Sequence, residues 1–209
     1  MTSASFSREQ LLTAIIGLEE RMFRAVKSSS PSACQQHLRT FAIMRRMSHC
    51  VLSDETLSSY LQDLQSAFEP AGATGCCIAP SLSELNAPSG TELRRNFFNE
   101  KYARIEGLIP PLKQSPVIDE IVAIESVWFH DLQGRFPKLL HSSGAFESYE
   151  RAELETYSDR TLDLYAVDLR SAAEQGRNMV EERYRNLYSV LGLGTLEKPD
   201  PLQGETNVR

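Results

Sequence analysis

The chain has 209 residues, 41% of them hydrophobic and 24% charged, with a formal net charge of −6 at pH 7. That length can bury a core without disulfide or metal staples, and the acidic balance argues against a nucleic-acid-binding surface. No apolar run approaches the roughly 18–20 residues needed to span a bilayer, and MTSASFSREQ lacks the basic and apolar segments of a secretory leader, so a cytoplasmic protein is expected.

Ser5 or Ser7 can cap a first helix, with Glu9 and Gln10 in its opening turn. Leu11, Leu12, Ile15, Leu18, Met22, Phe23 and Val26 mark its apolar stripe as far as Lys27. The turn SSSPSA follows, with Pro31 where a second helix would begin. That helix spans Cys34 to Cys50, with Leu38, Phe41, Ile43, Met44 and Met47 as core positions and Arg39, Arg45 and Arg46 as a basic flank. A third helix is predicted from Asp54 to Phe68, capped by Ser53 or Asp54. Residues Glu69 to Ser89 are rich in Gly, Pro, Ala and Ser and read as a long loop or insertion.

The stretch RNFFNEKYARIEGL, from Arg95 to Leu108, predicts the fourth helix, ended by Gly107 and Pro110-Pro111. Val117 to Phe129 is the most apolar helix, and Glu147 to Gly176 reads as a helix pair. A last helix follows Arg177 and ends at Gly192, before a tail at 198–209 with little to bury.

Three blocks recur in the same order. Arg95, Asn96, Glu100, Lys101 and Tyr102 return 82 positions later as Arg177, Asn178, Glu182, Arg183 and Tyr184. IIGLEERMF returns as IVAIESVWF at an offset of 106, setting Glu19 on Glu125 and Met22 on Trp128. SYLQDLQSA returns as LYAVDLRSA at 105, setting Tyr60 on Tyr165 and Asp63 on Asp168. The expected fold is therefore all-α: a bundle of about eight helices in two related halves, residues 1–116 with the insertion at 69–89 and residues 117–197, forming one domain. Equivalent helices are expected to meet at a central interface or cleft, with Met22-Phe23 and Trp128-Phe129 packed there.

CQQHLRTFAIMRR, SYLQDLQSA, RNFFNEKYARIE and ETYSDRTLDLY, in that order, resemble the domain of unknown function 4125 family, from Ile15 to Glu197. The family's Cys-Gln and Thr-Phe pairs are matched by Cys34, Gln35, Thr40 and Phe41. Its Arg-Asn and Glu-Lys-Tyr-Ala-Arg motif is matched by Arg95, Asn96, Glu100, Lys101, Tyr102 and Arg104, and its Thr-Tyr-Ser by Thr156, Tyr157 and Ser158. The chain departs from the pattern where Arg94 replaces a glycine before Arg-Asn, and in the insertion of 23 residues. The resemblance implies a helical fold and carries no activity.

Metal chemistry finds little support in the spacing. None of His37, His49, His130 and His141 has a glutamate three positions before it, as inward-facing Glu-x-x-His pairs require. No His-Glu-x-x-His, Cys-x-x-Cys, phosphate-loop or dinucleotide pattern is present. Cys34, Cys50, Cys76 and Cys77 read as reduced thiols, with Cys34 near His37 as an alternative nucleophile. No cofactor is expected.

The leading expectation is a lyase-, cyclase- or isomerase-type enzyme acting on an anionic or amine-bearing metabolite by metal-independent acid/base chemistry. Glu100, Lys101, Tyr102 and Tyr157 are its candidate catalytic residues, with burial moving a Lys or Tyr toward neutral pH. Arg95, Asn96, Arg104, Tyr60 and Asp63 are its candidate substrate-binding residues, the arginines as an anion clamp. The same residues also fit a polar network that docks the halves, and a non-catalytic interaction or homodimerisation module is the alternative. A metal-dependent oxygenase, using a distant set such as Glu125 with His130, is the third reading. The expected partner is a small molecule, with no nucleic acid and no membrane.

Overall fold

Five of the helix starts among the described residues are set by a Ser or Asn side chain that takes up free N–H groups of the first turn. The computed structural model describes residues 6–26, 37–70, 91–111, 113–137 and 146–199. Among them are eight helices and one strand pair, as the periodicity predicts for an all-α protein. In chain order they are α1 (Arg8–Arg24), α2 (Leu38–His49), α3 (Asp54–Ser66), β1 (Phe68–Pro70), β2 (Thr91–Leu93), α4 (Phe97–Ile105), α5 (Pro116–Arg135), α6 (Phe146–Leu154), α7 (Asp159–Glu174) and α8 (Met179–Leu191).

Ser7 caps α1 in a reciprocal box with Gln10. Ser53 and Ser158 cap α3 and α7 in the same way as each other, each accepting from the backbone N–H of a threonine three residues on. Asn96 and Asn178 cap α4 and α8, and each also donates its amide across the fold, to Met22 O at 2.7 Å and Trp128 O at 3.2 Å. Gly192 closes α8 with φ of 67°, a left-handed conformation that glycine adopts without a side-chain clash.

Three boundaries differ from the pattern. Helix α3 stops at Ser66, because Phe68 joins a strand pair in which Phe68 faces Leu93 and Pro70 faces Thr91. This pair joins the ends of the Gly/Pro-rich stretch, where a plain loop was expected from Glu69. Helix α5 runs past Phe129 to Arg135, since Leu132 is fully buried and Arg135 bridges to Asp131 and Glu181. Helix α2 is described only from Leu38, so Cys34, Gln35 and Pro31 lie outside the described residues, as do Cys76, Cys77, His141 and the tail beyond 199.

Helices α1 and α5 supply the deepest core, through Leu11, Ile15, Leu18, Ile118 and Ile121. Helix α3 lies on α1, α7 lies on α5, and α3 and α7 meet each other at the centre. The second helix of each half faces the other half's last helix: α2 packs on α8, and α6 packs on α4. Phe23 stacks on Phe41 at 4.3 Å and meets Phe98 edge-on, so it packs within its own half. Phe129 likewise stacks on Phe146.

Candidate functional site

Two glutamates are entirely shut off from solvent, Glu19 on α1 and Glu125 on α5. A carboxylate there is tolerated only with a countercharge and hydrogen bonds. Glu19 receives Arg45 Nη2 at 2.6 Å and Nε at 3.0 Å, and the Tyr60 hydroxyl at 2.8 Å, with His49 Nε2 3.0 Å away. Burial alone would raise its pKa, but Arg45 and His49 outweigh it and hold the carboxyl down at about 2. Glu125 receives Arg183 Nη2 at 2.7 Å and Nη1 at 3.0 Å, and the Tyr165 hydroxyl at 2.5 Å.

Helix α6 brings two further carboxyls to these centres. Glu153 accepts from Arg45 at 2.7 Å, from Tyr157 at 3.2 Å and from Lys101. Burial works against its charge, yet Arg45 and Lys101 hold it well below the usual carboxylate range. Glu150, one turn earlier, has the opposite fate. Burial first, then the Glu125 and Glu153 carboxylates, push its pKa up to about 8 against the pull of Arg183 and Lys101. Glu150 as a residue is half-buried, while its carboxyl lies among the buried charges that raise its pKa.

The contrast has a positional cause. Counted back from the helix caps Ser53 and Ser158, Arg45 and Glu150 occupy the same place, eight residues upstream. In one half an arginine meets the buried glutamate; in the other a second carboxyl approaches it, and Arg183 from α8 supplies the positive charge. Like-charged neighbours in a dry site cannot both ionise freely, which separates the Glu150 and Glu153 pKa values.

The expected site residues fall into three places. Tyr60, Lys101 and Tyr157 converge on the Glu19–Glu153 centre, and the rings of Tyr60 and Tyr157 lie 4.4 Å apart. Arg95, just before α4, and Glu100 and Arg104 on it form a separate chain: Arg95 grips Glu100 at 2.6 and 2.7 Å, and Arg104 lies 3.3 Å from Glu100 and 3.0 Å from Glu155. The two arginines hold the Glu100 carboxyl below its ordinary pKa despite the desolvation that opposes them. Asn96 and Asp63 serve caps, Asp63 by accepting from Ser158 N at 2.9 Å and Thr161 Oγ1 at 2.7 Å. Tyr102 is half-buried beside Phe98.

One chemical expectation is reversed. Burial raises the Tyr60 and Tyr157 hydroxyls well above the ordinary tyrosine pKa, because it penalises the phenolate. Both are donors and neither is a base near neutral pH. The group moved toward neutrality is Glu150, which pattern reading missed together with Glu153, Arg45 and Arg183. The available signal was Glu19 and Glu125 recurring inside apolar stripes, where each needs a cation from another helix.

Among the described residues, no three His, Cys, Asp or Glu side chains gather in a metal-holding group. Glu125 is committed to Arg183 and Tyr165, whereas His130 is exposed. No helix among the described residues is long and apolar enough to cross a membrane.

No curated protein and no solved structure matches the chain. A family model described as a protein of unknown function, DUF4125, matches residues 9–72 and 85–200, passing over only the middle of the Gly/Pro-rich stretch. With nearly its whole length matched, the chain belongs to the DUF4125 family.

Proposed function

We propose that this is a cytoplasmic enzyme that moves a proton on a small anionic or amine-bearing metabolite, without a metal, at the seam between α4 and α6. The observation that carries the reading is Glu150: a carboxyl held protonated near pH 7, on a half-buried residue one turn from the ionised Glu153. Environments that drive neighbouring carboxyls apart in pKa are how acid and base roles are divided. Glu150 donates the proton to the substrate, then recovers one from the rearranged product or from solvent. Lys101, only partly buried and 5.8 Å above the exposed Tyr149 ring, supplies positive charge and a flat apolar surface for the substrate. Arg45 and Tyr157 hold Glu153 from behind.

The two halves are inferred to descend from a duplication, supported by the paired Ser caps, the paired Asn caps and the Tyr–Glu pair in each half. In that history, divergence at the Arg45 and Glu150 position created the acid.

The test is a metabolite panel of carboxylates and amines, followed by mass spectrometry for conversion, on wild type and Glu150→Gln. Gln keeps the shape and removes the proton, so turnover should fall by about 10²-fold or more. Equal turnover in the variant removes Glu150 from the chemistry. A second reading, a non-catalytic interaction or homodimerisation module, is favoured by the mutual pairing of Arg95, Glu100, Arg104 and Glu155. It takes over if no panel member is converted and sedimentation shows a stable dimer.

A further inference from the structure

The two crossed helix contacts, α2 on α8 and α6 on α4, form a pair of corresponding seams. Their registers are pinned by caps. Cys50 lies three residues before Ser53, as Glu155 lies three before Ser158; Asn186 lies eight after Asn178, as Arg104 lies eight after Asn96. At the α4–α6 seam these positions hold Arg104 against Glu155 at 3.0 Å, both side chains more than nine-tenths buried. An arginine stem and its carboxylate partner occupy those two positions of the seam.

At the α2–α8 seam the shorter pair, Cys50 and Asn186, stands in those places. Asn186 turns its amide back onto its own helix, to Glu182 O at 2.9 Å. A crevice of about 260 Å³ is found here, with Cys50 and Asn186 in its lining. Its apolar wall includes Leu12 and Val190, and its charged lining is two guanidinium groups, Arg8 and Arg46, against one carboxylate, Glu9. Arg8 is already engaged, through Nη1 to Asp54 at 2.6 Å and through Nη2 to Cys50 O at 2.7 Å and Leu52 O at 2.6 Å. Arg46 reaches Glu9 through Nη2 alone, at 2.7 and 2.8 Å, which leaves N–H donors on its other nitrogens.

We propose that this crevice binds a small carboxylate with a short apolar body. The carboxylate meets Arg46 at the rim, where a charge-assisted bond from arginine is strongest with a planar anion. The apolar body fills the space that the Arg104 stem takes up in the other seam, and gains by leaving water. The crevice shares no residue with the acid/base centre proposed above, so either assignment can fail alone.

Octanoate is the probe, with octanol and octylamine as neutral and cationic counterparts of similar length. The readout is alkylation of Cys50 by iodoacetamide on the full chain, followed at the Cys50 peptide by mass spectrometry. At ten times its dissociation constant, octanoate should slow that alkylation about tenfold by mass action, while octanol and octylamine protect far less. Asn186→Arg fills the crevice and should abolish protection. Arg46→Gln, on the exposed rim, should keep the fold and weaken protection, and it decides the matter if Asn186→Arg does not fold. No protection by octanoate, equal protection by octanol or octylamine, or undiminished protection in Arg46→Gln overturns the assignment.

Discussion

Asp63 and Asp168 brace each other's helices: each sits on its own helix and accepts from the first turn of the other. Asp63 on α3 takes Ser158 N and Thr161 Oγ1 at the start of α7, and Asp168 on α7 takes Ser53 N and Thr56 Oγ1 at the start of α3, at 2.9 and 2.7 Å in both cases. Asp63→Ala should cost about 1–2 kcal/mol, the worth of a cap with its hydrogen bonds, and Asp168→Ala a similar amount. Urea unfolding should show a lower midpoint at unchanged slope. A loss no larger than that of the exposed control Gln62→Ala would mean the brace contributes nothing.

Arg45 is the shared countercharge of Glu19 and Glu153. Arg45→Met should destabilise by about 3–5 kcal/mol, since it strands charge in the core. Adding Glu19→Gln to that variant should recover part of the loss, because the stranded charge is then gone. Losses that simply add in the double variant would contradict the coupling.

The buried carboxyls predict opposing pH effects. Glu19 has a folded pKa of about 2, below its ordinary value of 4.5, so its contribution is present above the unfolded pKa. That contribution, about 3 kcal/mol, is lost as pH falls through the window from 4.5 to 2. Glu150 has a folded pKa of about 8, above the ordinary value. Between those values the folded state holds a proton that the unfolded state has released, so stability falls as pH rises toward 8. Glu150→Gln should therefore remove the fall in stability between about pH 4.5 and 8 and leave the Glu19 loss below 4.5 unchanged. Thermal melts from pH 5 to 9 on both proteins test this, and parallel curves would contradict it.

Asn96 does two jobs through one amide group. Its Oδ1 accepts from Phe98 N and Asn99 N, while Nδ2 donates to Met22 O on α1. Asn96→Asp keeps the cap and loses the cross-link, whereas Asn96→Ala loses both. The alanine variant should therefore be the weaker by about 1 kcal/mol, read from denaturant midpoints. Equal stabilities would show that the cap adds nothing at this helix start.

Much of this architecture was legible because it is local. The caps at Ser7 and Ser53, the Pro-Pro and Gly stops, and the 3.6-residue stripe of α1 are written in neighbouring residues, whereas Asn96, read as a substrate-binding group, turns out to cap α4. Tyr60, Lys101 and Tyr157 share one centre, while Arg95, Glu100 and Arg104, grouped with them by pattern, pair elsewhere. What could not be read was the partner of each charge. Glu153 is ordinary on a helix until α2 delivers Arg45 and α4 delivers Lys101, 108 and 52 positions away. Lys101 and Arg183 hold matching places in their motifs, yet Lys101 bonds Glu153 while Arg183 bonds Glu125. That difference depends on what α6 presents in the tertiary fold. Periodicity reports which side of a helix is buried, not whose side chain waits there.

The crossed packing of α2 on α8 and α6 on α4 bears on how the chain assembles during synthesis. A ribosome that has released only the first half has made α2 without α8, α4 without α6, and α3 without the aspartate that braces its start. Those contacts lie far apart along the chain, and such contacts slow folding by the entropy of closing long loops. The first half should therefore stay partly open until α7 and α8 emerge, and the two halves should then close in one cooperative step. Separately expressed halves would regain native ellipticity only when mixed.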